Sequence, residues 1–151
     1  MNKQEAVEKL INLSNSRSRT FNVDTYQGKR VWTNGIILEI ARKFPHQIEQ
    51  KIKGQKSRTG LIPLFMNLNR SWRREWSVAI ICPATDDNEH SEAKHVSLDI
   101  GVYFDPILHN YAKVRYPRGT YYIKDETSPI IVTHNDKFAL AIMPLRDEVV
   151  D

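Results

Sequence analysis

The segment from His95 to Asp105 limits the fold more than any other. Val96, Leu98, Ile100, Val102 and Phe104 alternate without a fault against His95, Ser97, Asp99, Gly101, Tyr103 and Asp105. A period of two places successive side chains on opposite faces, so this is a strand with one apolar and one wet face. Such a strand belongs to an antiparallel sheet. Its neighbours carry the same character. Trp76–Cys82 reads as a short strand closed by Pro83. Tyr111–Tyr116 and Thr120–Lys124 read as two more, joined by a turn at Pro117-Arg118-Gly119. Ile130–Thr133 and Phe138–Met143 form a hairpin through His134-Asn135-Asp136-Lys137.

The first part of the chain reads differently. In residues 3–13, Ala6, Val7, Leu10 and Ile11 make one apolar stripe of a short helix. The Ser/Asn/Arg-rich stretch 14–20 ends it. Val31–Ile37 has the look of a hairpin about Asn34-Gly35. However, Ile36, Ile37, Ile40, Ala41, Phe44, Ile48 and Ile52 hold a helical spacing over 17 residues, and this predicts a helix from about 35 to 53, kinked or split by Pro45 and stopped by Gly54. Leu61–Met66 is apolar with no clear period. The expectation is one domain over 1–151, mainly helical in 1–60 and mainly β in 76–146, with a frayed acidic tail at 147–151. Helices followed by strands give an α+β class: N-terminal helices packed on an antiparallel sheet, or partly open barrel, of about five strands.

Charge is divided along the chain. Residues 17–74 hold 13 Lys/Arg against three acids, a net of +10, whereas residues 86–151 hold seven against 12, a net of −5. A basic half of this density points to a polyanion, because each phosphate neutralised releases counterions. The competing explanation is that these cations pair with the chain's own acidic half. The single cysteine, Cys82, lies in an apolar run, which excludes an internal disulfide and suggests a reducing compartment. No signal-peptide pattern and no long apolar span is present, so the expected location is cytoplasmic, away from membrane.

Two groups of residues suit a nucleic acid. If residues 111–116 alternate as a strand, Tyr111, Lys113 and Arg115 share a face. With Tyr103, Tyr122 and Lys124 from neighbouring strands they make a sheet surface of rings and cations. Bases stack on such rings while cations follow the phosphates. The second group is Arg70, Arg73 and Arg74, three guanidinium groups within five residues that read phosphate bidentately.

Signals for catalysis are sparse. His46, His90, His95, His109 and His134 lack metal-site spacing, so neither metal nor cofactor is expected. Asp86, Asp87 and Glu89 with His90 and His95 read as a solvated acidic loop. Glu49-Gln50-Lys51 matches a nuclease pattern in its letters but falls in a helix. His95-Val96-Ser97-Leu98 resembles one half of the paired His-x-Ser/Thr motif of two-histidine phosphoesterases. That resemblance covers four residues and implies phosphodiester chemistry at His95. The second half is absent, because Val132-Thr133-His134-Asn135 has its hydroxyl before the histidine. The preferred expectation is non-catalytic binding of nucleic acid, single-stranded DNA or RNA before duplex. A protein-interaction module, such as an inhibitor of phage or mobile-element type or a homo-oligomer, is the alternative. A phosphodiesterase or nuclease centred on His95 is the third.

Overall fold

The computed structural model describes residues 2–17, 19–55, 60–79, 81–82, 96–98 and 102–144, excluding the side chains of 81–82, 96–98 and 103. Its centre is a seven-stranded sheet built from β1 (Asn22–Tyr26), β2 (Lys29–Thr33), β3 (Ile37–Ala41), β4 (Ser77–Ala79), β8 (Thr120–Ile123), β9 (Ile130–His134) and β10 (Lys137–Ile142). The order across the sheet is β1-β2-β3-β10-β9-β8-β4, every neighbouring pair antiparallel, with β1 and β4 as open edges. A second, three-stranded sheet joins β5 (Ile81–Cys82), β6 (Val96–Leu98) and β7 (Tyr103–Phe104). Among the described residues there are four helices: α1 (Lys3–Ser16), α2 (His46–Ile52), α3 (Leu61–Glu75) and α4 (Pro106–Arg115).

Both faces of the large sheet are covered. Trp32, Ile37, Ile130, Val132, Leu140 and Ile142 point to one side, where Val7 and Leu10 of α1, Ile48 and Ile52 of α2, and Leu108 and Tyr111 of α4 meet them. Val31, Leu38, Ile40, Ile131, Phe138 and Ala141 point to the other, against Leu61, Phe65 and Trp72 of α3. The class is α+β as expected. Among the described residues the sheet has seven strands rather than about five and does not close into a barrel, and helices lie on both faces.

Three sequence expectations are corrected. No helix runs over 35–53. Residues 29–41 form the β2–β3 hairpin, α2 begins only after Pro45, and residues 1–60 hold three strands as well as helix. Ile37–Ile40 are buried on both faces, so the strand carries no alternation and its apolar run imitates a helical stripe. The turn is fixed by Asn34, whose Oδ1 accepts from the backbone N–H of Ile36 and Ile37 at 3.1 Å each. Its Nδ2 donates to Ser14 Oγ at 2.7 Å and ties the turn to the end of α1.

The second correction concerns Tyr111–Tyr116, which is not a strand. Asp105 caps α4, its carboxylate accepting from Ile107 N at 2.8 Å, and Pro106 occupies the first turn, where its missing N–H costs nothing. The expected hairpin of Ile130–Thr133 and Phe138–Met143 is present as β9 and β10, and residues 3–13 are helical. The third correction is the single strand expected over His95–Asp105: β6 and β7 are separate strands that pair antiparallel, Val96 across from Phe104 and Ser97 across from Tyr103. His95, the acidic loop at 84–93 and the tail at 147–151 lie outside the described residues.

Candidate functional site

Helix α4 decides the fate of half the predicted binding residues. Tyr111, Arg115 and Tyr116 follow one another at helical spacing and converge on Glu39 of β3, whose side chain is fully buried. Tyr111 Oη donates to Glu39 Oε1 at 2.6 Å and Tyr116 Oη to Oε2 at 2.5 Å. Arg115 donates to Oε2 through Nε at 2.9 Å, and its Nη2 forms an ion pair with the same oxygen at 2.8 Å while donating to the Lys43 carbonyl at 3.1 Å. Trp32, directly across from Glu39 on β2, donates its Nε1 to Oε1 at 2.9 Å. A buried carboxylate is sustainable only when paired and saturated with donors, as here. Burial, then the adjacent Glu39 charge, pushes the Tyr111 and Tyr116 hydroxyls well above the usual tyrosine range. The Glu39 carboxylate holds the Arg115 guanidinium charged against the opposing effect of burial.

The wet sheet face of tyrosines and cations therefore does not form. Tyr111 is enclosed and Arg115 is committed to Glu39, while Lys113 points outward from α4. Tyr122 is half-buried beneath α3, its ring 4.9 Å from that of Trp72. Lys124 forms an exposed pair with Glu75 at 2.9 Å and lies over the Trp76 ring. The side chain of Tyr103 lies outside the description.

The arginine group keeps its exposure. The amphipathic α3 turns Phe65 and Trp72 inward and leaves Arg70, Arg73 and Arg74 outside. No ion pair among the described residues uses any of the three. Arg73 lies over the Trp72 ring at 4.5 Å and donates from Nη2 to the Asp136 carbonyl at 2.6 Å. That contact holds the guanidinium at the end of the β9–β10 hairpin.

Two turns of one type frame this position. Gln27 and Gly28 have φ of 49° and 79°, and Asn135 and Asp136 have φ of 53° and 61°. Each pair connects strands whose end residues face each other, Tyr26 with Lys29 and His134 with Lys137. Positive φ at both central residues is the type I′ hairpin geometry. Lys29 and Lys137 thus each follow such a turn, and they reach the same cleft as Arg73. The cleft has a volume of about 330 Å³. Lys29, Arg73 and Lys137 line it together with Tyr26, Gln27 and Asn69, over a floor of Ile40, Phe65 and Phe138. Among the described residues no carboxylate lines it.

A second cleft of about 420 Å³, between β1 and α2, mixes Arg30 and Lys53 with Asp24 and Glu49. Its charge is already internally matched, for Arg30 Nη1 donates to Glu49 Oε1 at 2.7 Å and this contact lowers the Glu49 carboxyl below its usual range. His109, wedged between the rings of Phe104 and Tyr121, is kept below the ordinary histidine range by burial and then by Lys113. Among the described residues no three His, Cys, Asp or Glu side chains gather as a metal site.

Sequence reasoning located Arg73 but missed Lys29, Lys137 and Tyr26, and it missed Glu39. The two-residue Gln27-Gly28 and Asn135-Asp136 connections were the available signal for the cleft, and a lone acid in Ile36–Ala41 was the signal for the buried hub. Comparison with protein-family models, with curated proteins and with solved structures finds no match to this chain. No helix among the described residues is long and apolar enough to cross a membrane.

Proposed function

We propose that this protein is a non-catalytic nucleic-acid-binding protein that prefers single-stranded DNA or RNA, and that it binds through the α3 side of the sheet. One observation carries the reading. Lys29, Arg73 and Lys137, from three separate elements, meet at a cleft lined by no carboxylate among the described residues, beside the exposed Arg70 and Arg74. Three converging cations cost electrostatic energy in the free protein, and a chain of phosphates relieves that cost while releasing counterions. The half-buried Tyr26 at the cleft gives a base a ring to meet, which a phosphate-only site would not need.

The test is fluorescence anisotropy with labelled single-stranded and duplex oligonucleotides at low and moderate salt. Three phosphate contacts on a single strand predict a salt slope near −2, so affinity should fall roughly 20-fold between about 50 and about 200 mM salt. The Lys29→Ala/Arg73→Ala/Lys137→Ala variant should bind more weakly and lose most of that slope. Absence of binding at low salt overturns the reading, and the exposed Leu64 and Val78, at 51% and 59%, would then direct attention to a protein partner.

A further inference from the structure

Beneath its charged rim the cleft is apolar. Phe65 sits at its base, edge-on to Phe138 at 5.4 Å and to Tyr26 at 5.4 Å, so the aromatic groups form one continuous wall. A site for phosphate alone has little use for such a floor, because the negative ring faces disfavour an anion and apolar surface leaves it without hydrogen bonds. The volume of about 330 Å³ sits near the small end of ligand pockets, roughly 300–1,000 Å³. That suits one nucleotide rather than a run of them. The side-chain amides of Asn69 and Gln27 at the wall offer both donors and acceptors, the pairing a base edge requires.

We infer that the cleft takes a single unstacked nucleotide, its base against Tyr26 and the Phe65–Phe138 floor and its phosphate held at the mouth by Lys29, Arg73 and Lys137. This rests on the nucleic-acid reading above and supplies a physical source for the single-strand preference. A base inside a duplex must leave its partner and its stack before it enters a pocket, whereas a base in a single strand gives up far less. Tyr26 is positioned for this by its own turn. It is the last residue before the tight Gln27-Gly28 connection, so its ring is held on the α3 side beside Lys29. Asp136 lies in the opposite turn and spends its carbonyl on Arg73, which keeps that guanidinium directed at the mouth.

The experiment compares a short labelled single-stranded oligonucleotide with its abasic counterpart, which has the same number of phosphates, at one fixed salt concentration. The wild-type protein should bind the base-bearing strand roughly 5- to 160-fold more tightly, the range that loss of one stacked base produces. Tyr26→Ala should shrink that ratio toward unity, and repeating its titration at a second salt concentration should give the wild-type salt slope. Equal affinity of the wild type for both strands overturns the nucleotide pocket and leaves phosphate binding standing. Failure to bind either strand overturns the nucleic-acid reading itself, and the pocket with it. The abasic comparison needs only the native chain, so poor folding of Tyr26→Ala would not rescue the inference.

Discussion

Glu39 shows what a single buried charge demands of its surroundings. Its two oxygens accept from Trp32, Tyr111, Tyr116 and Arg115, and no water is needed to complete the set. Removing one partner of such a pair strands the other, at a cost of about 3–5 kcal/mol. Glu39→Gln, which keeps the shape but removes the charge facing Arg115, should therefore lose stability of that order in denaturant unfolding. A loss below about 1 kcal/mol would mean that Arg115 finds a substitute acceptor. Alkaline pH tests the same cluster from the donor side. Burial raises Tyr111, Tyr116 and Tyr121 above the ordinary value of 10.0. Below pH 10 folded and unfolded states hold these protons equally. Above it only the unfolded chain releases them, so stability falls toward the raised folded-state values. Each group contributes a slope of about 1.4 kcal/mol per pH unit, roughly 4 for the three together. Unfolding should set in just above pH 10, with a burst of tyrosinate absorbance at the same midpoint as loss of ellipticity. Smooth tyrosine titration ahead of unfolding would show that these hydroxyls are reached by water.

At the scale of the element, the turns carry a prediction and the strands carry a lesson. Gln27 adopts φ of 49°, a left-handed conformation that Asn tolerates better than a longer side chain. Gln27→Asn creates the favoured Asn-Gly pair and should stabilise the β1–β2 hairpin by about 0.5 kcal/mol, within the span of local turn effects. An unchanged or lower denaturation midpoint would show that the Gln27 side chain contributes more than its strain costs. The C-terminal hairpin was legible in the sequence because its apolar runs are short and a polar turn separates them. The β2–β3 hairpin was obscured because β3 is covered on both sides, so its neighbours Leu38 and Ile40 are as apolar as Ile37. Residues 111–116 alternate in polarity by coincidence. Leu108, Tyr111 and Ala112 are the helical set that is buried, and Asp105-Pro106 was the start signal that would have revealed it. The consequence for the site is direct. In a strand, Tyr111, Lys113 and Arg115 would be companions. In α4, Tyr111 and Arg115 turn inward to Glu39 and Lys113 is left alone outside.

For the whole molecule, the decisive fact is that the sheet holds apart charged groups that the sequence assigns to one ligand. Arg70, Arg73 and Arg74 belong to the α3 layer, and Lys113 to the α4 layer on the opposite face. A helix axis stands roughly 10 Å from the layer it covers, so two such layers lie about 20 Å apart across the sheet. The Debye length is about 8 Å at physiological salt, and charges that far apart barely sense each other through solvent. A ligand on the α3 side should consequently register one surface and ignore the other. Arg70→Glu lies outside the cleft but on its side, and it should weaken oligonucleotide binding several-fold and flatten its loss with salt. Lys113→Glu makes the same change in net charge on the far side and should alter affinity by less than about twofold. Lys124→Ala should also be nearly silent, since Lys124 is already paired with Glu75 and an exposed pair contributes about 0–1 kcal/mol. Equal losses from Arg70→Glu and Lys113→Glu would show that binding follows net charge over the entire surface, and the α3 cleft would then have no special claim to the ligand.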